Sequence, residues 1–315
     1  MTARPQIWTV DNPAWAPARP RLSVLIPFFR DDPRDLLQAL GAEAAGLAGA
    51  VELVVLDDGS GSEALSAAVA DAVTALSPPA RFIALASNEG RAKGRNRLRG
   101  AARARHLLFL DADMLPDGPR FLAAYLALIA REDPAVAFGG FTLDRTPHDP
   151  ERALHRALSL RGDCRPAAAR QAEPAKSLCT SNLLVRAEVF DVEPFDEGFR
   201  GWGWEDVEWA IRVGRRWPVL HLDNPASHLG LDTDAALVAK YEQSPANFAR
   251  MSALHPDVAS GFPVHRAARK LARLPAPRLW RPWLRRLALA RGLPMLVRVA
   301  ATKLYRAALY VEAAS

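Results

Sequence analysis

Residues 51–60, VELVVLDDGS, decide the fold class of this chain. Residues 51–56 form a short apolar run of the kind that makes a parallel strand buried on both faces. The run ends abruptly in Asp57-Asp58-Gly59-Ser60, whose residue types favour a turn. Similar apolar runs recur along the chain, and strands are expected at residues 22–26, 51–56, 81–85, 107–110, 135–141 and 219–222.

Helical spacing fills most intervals between these strands. Helices are predicted at about residues 31–49, 63–76, 91–105 and 119–131. Strands alternating with helices predict an α/β fold, in which helices cover both faces of a mainly parallel sheet. Such sheets bind ligands at the carboxyl ends of their strands. The acidic clusters at residues 57–58 and 111–113 both fall at predicted strand ends.

Composition excludes several classes of protein. The chain has 315 residues, 50% of them hydrophobic and 24% charged, which is too apolar for a disordered chain. Two cysteines are too few for a disulfide scaffold or a cysteine-rich zinc site. No apolar run reaches the roughly 18–20 residues of a membrane span, and residues 1–10 lack the apolar stretch of a signal peptide. A cytoplasmic protein is therefore expected.

Asp111 and Asp113 are the clearest chemical signal. At an extended strand end, residues two apart point the same way, so both carboxylates can face one cation. Carboxylate oxygens select hard ions such as Mg²⁺ or Mn²⁺, which commonly bridge to substrate phosphates. A hydrated loop is the commoner explanation of an isolated Asp-x-Asp, so the pattern alone leaves both interpretations open.

A basic segment lies just before that strand. Residues 88–96, NEGRAKGRN, place three basic side chains around glycines at a helix start. Cations and free N–H groups at such a start favour a phosphate, whereas the alternative is a solvated basic face. The spacing differs from G-x-G-x-x-G, which disfavours a dinucleotide cofactor.

Residues 195–209, FDEGFRGWGWEDVEW, combine glycines with flat tryptophan faces suited to sugar rings, and three carboxylates, Glu205, Asp206 and Glu208, follow them. We interpret this stretch as a binding site. The structural alternative places Glu205 in the first turn of a helix that runs to Arg212, where its charge favours the helix dipole.

Five motifs, in this order, resemble the inverting nucleotide-sugar glycosyltransferases of family 2, which have the GT-A fold. They are VLIP at 24–27, VLDDGS at 55–60, Asn88 with Arg95-Asn96, FLDAD at 109–113 and GWGWED at 201–206. The last is similar to the acceptor and base motif of β-1,4-galactosyltransferases and bacterial chondroitin-type polymerases. The resemblance covers about residues 20–232.

The resemblance implies a donor side. Asp58 is expected to contact uracil, and Asp111 to reach the ribose or the metal. Asp113 is expected to bind Mn²⁺ or Mg²⁺ on the diphosphate of a UDP-sugar. Pro27 is also expected beside the nucleotide, together with Arg91, Lys93 or Arg95, among which the resemblance does not choose.

The resemblance also implies an acceptor side. Asp206 corresponds to the general base, and Glu205 and Trp202 would hold the acceptor sugar. His228 matches a histidine that completes the metal site in several relatives, although a lone histidine is more often structural. The remaining acceptor candidates are Trp204 and Asn182.

The implied activity is inverting transfer of a hexose or N-acetylhexosamine from a UDP-sugar to a glycan or lipid-linked acceptor. Many relatives have glycine where this chain has Trp204, so acceptor identity does not carry over. A non-catalytic nucleotide-sugar or glycan-binding scaffold of the same fold is the alternative. A nucleotidyltransferase would leave the 201–206 motif without a purpose.

The domain organisation predicted from these patterns has three parts. An N-terminal arm occupies residues 1–20, a GT-A domain residues 21–245, and a basic helical extension residues 246–315. Within the domain, residues 21–143 form the nucleotide-sugar half and 144–245 the acceptor half. Residues 145–176, rich in Pro, Arg and Ala, are the candidate for a closing loop.

The charge is concentrated at the end of the chain. Residues 261–315 hold 12 Lys and Arg and one acid, Glu312, so they carry +11, whereas the remaining residues carry −5. Cationic amphipathic helices with tryptophan suit an anionic membrane surface, here the inner face of a membrane. The alternatives are packing against the acidic body as a lid or a dimer contact, and a nucleic-acid arm, which is not expected because no such module is recognised.

Overall fold

The computed structural model describes residues 7–313, so residues 1–6 of the predicted arm and residues 314–315 of the extension lie outside it. Two sheets carry the strands. The strands are β1 Ile7–Asp11, β2 Leu22–Phe28, β3 Val51–Asp57, β4 Ala80–Leu85, β5 His106–Leu110, β6 Met114–Pro116, β7 Val136–Phe138, β8 Phe141–Thr142, β9 Asn182–Arg186, β10 Val219–His221 and β11 Ala226–His228.

Fourteen α-helices occur in residues 7–313. They are α1 Arg34–Ala45, α2 Glu63–Ala75, α3 Arg91–Ala101, α4 Phe121–Glu132, α5 Ala153–Gly162, α6 Ala167–Arg170, α7 Ala187–Val192, α8 Glu205–Gly214, α9 Asp234–Glu242, α10 Pro245–Leu254, α11 Pro256–Ala259, α12 Pro263–Ala272, α13 Trp280–Leu289 and α14 Met295–Leu309. Short 3-10 turns lie at Pro150–Arg152, Ala175–Ser177, Pro277–Leu279 and Val311–Ala313.

The main sheet has eight strands in the order β1-β4-β3-β2-β5-β9-β7-β10. Its centre, β4-β3-β2-β5, is parallel, and β9 runs antiparallel between β5 and β7. The predicted α/β fold is therefore confirmed. The predicted arm is corrected in part, because β1 pairs antiparallel with β4 along the edge of this sheet.

Helices cover both faces of this sheet because the strand residues alternate in direction. In β3, Leu53 and Val55 pack with α1, α2 and α4, whereas Val54 and Leu56 pack on the opposite side with α3, α7 and α8. Each of these strand residues is fully buried. The two apolar layers fix the sheet, and with it the positions of the loops at its carboxyl edge.

The predicted strand 135–141 is two strands. It breaks at Gly139 and Gly140, where Gly140 has a positive φ of 82° and a side-chain carbon would collide with the guanidinium of Arg170. β7 therefore ends in the main sheet, and β8 belongs to a second sheet, whose strand order is β6-β11-β8. This small sheet lies beyond β5 and sets Met114 opposite His228.

Residues 145–176 are not an open loop. They contain α5, α6 and two 3-10 turns, and Leu154 is fully buried. The buried Arg170 donates a hydrogen bond to the carbonyl of Leu222 and lies over the ring of Phe138. This segment is packed into the fold.

The C-terminal extension packs on the body through a third apolar cluster, in which α5 and α9 of the body meet α10, α12, α13 and α14 of the extension. A buried ion pair at 2.5 Å joins Arg298 of α14 to Asp234 of α9. Packing against the body, one of the three hypotheses for this segment, is thus observed. Within residues 7–313, no helix combines the length and the apolar character that crossing a bilayer requires.

Candidate active site

The loop that follows β3 is organised by Asp58. Its carboxylate accepts hydrogen bonds from the backbone N–H groups of Glu89 and Gly90 and from the Asn88 amide, each at 2.9 Å. Burial is the largest influence on Asp58 and raises its pKa. Asp58 therefore connects the end of β3 to the start of α3. Its direct contact with uracil stays a prediction.

Arg95 connects the two acidic motifs. Its side chain is 2% exposed and donates a hydrogen bond to Asp111 at 3.0 Å, while its other terminal nitrogen lies 3.7 Å from Glu205. Among the described residues, Nε and Nη1 of Arg95 and Oε2 of Glu205 have no hydrogen-bond partner although they are buried. Buried polar atoms without partners are costly, so this spot is arranged for a ligand or water.

The other two basic candidates diverge. Lys93 turns to the surface and pairs with Glu89 at 3.2 Å. Arg91 is exposed at the start of α3. Desolvation lowers its pKa, but the charges of Glu205, Asp111, Asp113 and Asp206 raise it above the usual value. Arg91 is thus an exposed cation within electrostatic reach of both acidic motifs.

Asp113 and His228 form a close pair, with Nε2 of His228 3.1 Å from Oδ2 of Asp113. Burial disfavours the charge on each group, but their mutual hydrogen bond outweighs it, so the pKa of Asp113 is lowered and that of His228 is raised. Gly230 permits this approach, since a side-chain carbon there would lie 2.1 Å from the Asp113 carboxylate.

This pair fits a divalent cation by its chemistry, because carboxylate oxygen and imidazole nitrogen both bind Mn²⁺, and carboxylate oxygen binds Mg²⁺. Within residues 7–313, no group of three His, Cys, Asp or Glu side chains is placed to hold a metal ion. Asp111 turns one oxygen to Arg95 and is not in the pair. A metal here needs further oxygens from a ligand.

Three polar residues around this pair escaped the sequence analysis. Asp31 lies close enough to Asp113 that burial and the Asp113 charge raise its pKa. The ring of His155 lies 5.8 Å from that of His228, and its Nδ1 accepts a hydrogen bond from the Asp232 N–H. Burial and the His228 charge lower the pKa of His155 to about 4. The strand-end rule identifies Asp31, just after β2, whereas no local signal marks the other two.

Glu205 and Asp206 begin α8, at the amino end where negative charge is favoured. Glu205 is buried. Burial, and then the neighbouring charge of Glu205, raise the pKa of Asp206 to about 7. A carboxyl that changes its charge near neutral pH has the property required of a general base.

Of the acceptor candidates other than Glu205, one is partly exposed and two are buried. Trp202 is partly exposed and packs edge-on against Tyr241. Trp204 is corrected from an acceptor residue to a core residue: it is 5% exposed and packs against Phe248 and Tyr310.

Asn182 is also corrected. Its side chain is completely buried and is used by the protein: its oxygen accepts a hydrogen bond from Tyr125 at 2.7 Å, and its nitrogen donates to the carbonyls of Gly140 and Asn224. Asn182 therefore fixes the turn after β7 and has no surface for a sugar.

The site thus joins a carboxylate–imidazole pair, a buried arginine and a neutral-range carboxyl at one edge of the sheet. A family model described as glycosyl transferase family 2 matches residues 23–192, more than half of the chain. The chain belongs to glycosyl transferase family 2. The matched part of this family 2 chain holds every donor-side candidate named above except His228.

Solved structures of the same GT-A fold cover nearly the whole chain. One is the mannosyltransferase PcManGT from Pyrobaculum calidifontis, in complex with GDP-Man and Mn²⁺, with a TM-score of 0.57 and 16% identity. The match covers 96% of this chain and 89% of PcManGT. S. aureus TarS 1–349 gives 0.52 at 14% identity, covering 91% and 89%. Its complex with UDP gives 0.51 at 14% identity, covering 93% and 90%.

These identities are low enough that the likeness concerns the fold. No curated protein matches the family 2 chain.

Proposed function

We propose that this family 2 glycosyltransferase moves a hexose or N-acetylhexosamine from a UDP-sugar to a hydroxyl of a glycan or lipid-linked acceptor, with inversion. The contact of Arg95 with both Asp111 and Glu205 carries the proposal. It brings the 109–113 motif and the 201–206 motif, distant in sequence, to one place.

Asp206 acts as the base. An acceptor hydroxyl is a weak nucleophile at neutral pH, so a carboxylate has to take its proton as the new glycosidic bond forms. The raised pKa of Asp206 makes it a stronger base than an ordinary aspartate while it is still ionised at slightly alkaline pH. Direct attack by that hydroxyl on the anomeric carbon, opposite the departing diphosphate, inverts the configuration.

The donor side stabilises the leaving diphosphate. Asp113 and His228 would hold Mn²⁺ or Mg²⁺, which when bound supplies positive charge to the phosphate oxygens. Arg91 adds a further cation near the same carboxylates. Arg95 already donates a hydrogen bond to Asp111, and it holds the 109–113 motif beside the 201–206 motif.

The solved relatives support a nucleotide donor with a divalent ion, since one is a complex with GDP-Man and Mn²⁺ and another with UDP. The choice of a uridine donor rather than a guanosine donor rests on the motif resemblance alone. A thermal-shift comparison of UDP-sugars with GDP-sugars, with Mn²⁺, Mg²⁺ or EDTA, tests the proposal, because a bound ligand stabilises the fold by mass action.

The expected result is stabilisation by UDP-sugars that requires the ion and is weakened in Asp113→Asn. Asp191→Asn, an exposed acid paired with Arg99, is the matched control and should respond like wild type. Absence of any ion-dependent shift with UDP-sugars contradicts the proposed donor. Binding without turnover on any acceptor pool supports the scaffold alternative.

We also propose that the exposed face of α13 lies on an anionic membrane. Trp283 is 63% exposed and Trp280 49%, and Leu279 before them is 71% exposed. Arg286 lies over the ring of Trp283. Tryptophan and arginine together suit the boundary between headgroups and acyl chains.

Co-sedimentation with phosphatidylglycerol vesicles tests this surface. The double variant Trp280→Ser, Trp283→Ser should lose most of the binding of the wild-type chain. Val192→Ser, another exposed apolar side chain at the end of α7, should not. Equal sedimentation of the double variant and wild type contradicts the proposal.

A further inference from the structure

Arg306 of α14 lies among aromatic rings at the acceptor loop. Its guanidinium carbon lies over four ring faces, at distances of 6.0 Å from Trp202, 5.2 Å from Trp204, 5.1 Å from Tyr241 and 5.7 Å from Tyr310. A cation over aromatic faces is held electrostatically without its charge being cancelled. The C-terminal extension thus brings a positive charge to the residues that precede the proposed base.

Arg306 forms no ion pair in the part of the chain from residue 7 to residue 313, and Asp163 acts on its charge only from a longer distance. Its Nε donates a hydrogen bond to the Tyr310 hydroxyl at 3.0 Å, and no carboxylate of the described residues lies within 4 Å. Its terminal nitrogens make no hydrogen bond to those residues, and the side chain is partly exposed. Arg298, two turns earlier on the same helix, is instead buried and paired with Asp234. Arg298 therefore stabilises the packing of α14 on α9, whereas the charge of Arg306 is available to a ligand.

The exposed Asp163 lies near both Arg306 and His228. Desolvation raises the pKa of Asp163, and the charges of Arg306 and His228 both oppose this rise. Burial also raises the pKa of Cys179 to about 12, and the charges of Asp206 and Asp163 add to that. Asp163 therefore lies within reach of the extension, of the metal-binding pair and of the residues near the base.

We propose that Arg306 and Trp202 form an acceptor subsite that takes an anionic group, a carboxylate or a phosphate, of the acceptor. The planar guanidinium presents two terminal nitrogens that match the oxygens of either anion. The partly exposed Trp202 ring offers a flat face for the adjoining sugar. This inference rests on the proposed function, because it concerns the acceptor of the same transfer reaction.

Binding of sugar probes to the full chain, in the presence of UDP and Mg²⁺, tests the subsite without requiring turnover. Three probes are compared by titration in ligand-observed NMR: methyl β-glucuronide, glucose 6-phosphate and the neutral methyl β-glucoside. The two charged probes distinguish a carboxylate from a phosphate. Binding of UDP is titrated separately, so that loss of the donor site is recognised on its own.

At least one charged probe should bind about tenfold more tightly than the neutral probe, as one charge-assisted contact implies. Arg306→Gln should remove this preference, and Arg306→Lys should retain part of it. Arg269→Gln, an exposed arginine of α12, is the matched control and should leave it intact. UDP affinity should be unchanged in all three variants.

Three results would overturn the subsite: equal binding of the charged and neutral probes to wild type, no binding of either charged probe, or a preference that survives in Arg306→Gln. Weaker UDP binding in Arg306→Gln would also overturn it, because the arginine would then serve the donor. The wild-type comparison keeps the test decisive if that variant does not fold. Failure of wild type to bind UDP instead contradicts the proposed function.

Discussion

The indole nitrogen of Trp204 donates a hydrogen bond to the hydroxyl of Tyr310 at 3.0 Å. The residue immediately before Glu205 is therefore held by the last turns of the chain. Trp204 has a positive φ of 76°, a conformation that costs a non-glycine residue roughly 1–2 kcal/mol. Its burial against Phe248 and Tyr310 offsets that cost. The departure from the glycine of many relatives is thus linked to the C-terminal extension.

Tyr310→Phe should lower the free energy of unfolding by about 2 kcal/mol, because it leaves the indole N–H of Trp204 and Nε of Arg306 without their acceptor. Urea denaturation measures the change. Tyr305→Phe is the control, since its hydroxyl bonds Glu242 near the surface and its loss should cost less. Equal effects of the two substitutions would contradict the assigned role of Tyr310.

Arg95→Met should destabilise the protein by about 3–5 kcal/mol, because it leaves Asp111 and Glu205 as carboxylates without their shared cation. Arg97→Met on the same helix breaks a more exposed pair with Glu89 and should cost about 1 kcal/mol or less. Thermal and urea unfolding compare them. A change in Arg95→Met no larger than in Arg97→Met would show that the two motifs do not depend on this contact.

The rate of transfer should rise with pH and level off above about 7, because Asp206 has to be ionised to accept the proton. Glu205→Gln removes the like charge that contributes to the raised pKa, so the midpoint of the rise should move to lower pH. The pH profile of kcat/KM measures this shift, independently of how far the variant lowers the plateau. An unmoved midpoint in Glu205→Gln would assign the titration to another group.

The same carboxyl makes stability depend on pH. The pKa of Asp206 lies near 7 in the folded protein against 3.8 as its ordinary value, so between these values the folded chain binds a proton that the unfolded chain releases. The contribution of Asp206 to the free energy of unfolding therefore falls as pH rises from about 4 to 7. The free energy of unfolding of Asp206→Asn relative to that of wild type should therefore be higher at pH 8 than at pH 5. A pH-independent difference would contradict the raised pKa.

The central strands β2, β3, β4 and β5 and the acidic ends of β3 and β5 are predictable because their signals are local. An apolar run followed by Asp57-Asp58 or by Asp111 marks a buried strand that ends at the ligand-binding edge. Trp204 was assigned wrongly because neighbouring glycines suggested exposure, whereas its burial depends on a helix about a hundred residues later. Long-range packing of this kind leaves no local pattern in the sequence.

Two further differences have the same origin. The position of Asn182 before an apolar strand predicts an acceptor residue, but its partners Tyr125 and Asn224 come from other elements. β1 pairs with β4 some seventy residues later in the chain, and no local pattern in residues 1–20 signals that pairing. The divergence of Arg91, Lys93 and Arg95, equivalent in sequence, likewise follows from which face of α3 each occupies.

The most direct test of the central claim is the transfer rate and UDP affinity of Asp206→Asn, measured beside Asp191→Asn. Loss of general-base catalysis should lower the transfer rate by about 10²–10⁴-fold, while UDP affinity stays within about twofold of wild type because the donor is bound through other residues. Asp191→Asn should match wild type in both measurements. Full transfer activity in a folded Asp206→Asn would contradict the account.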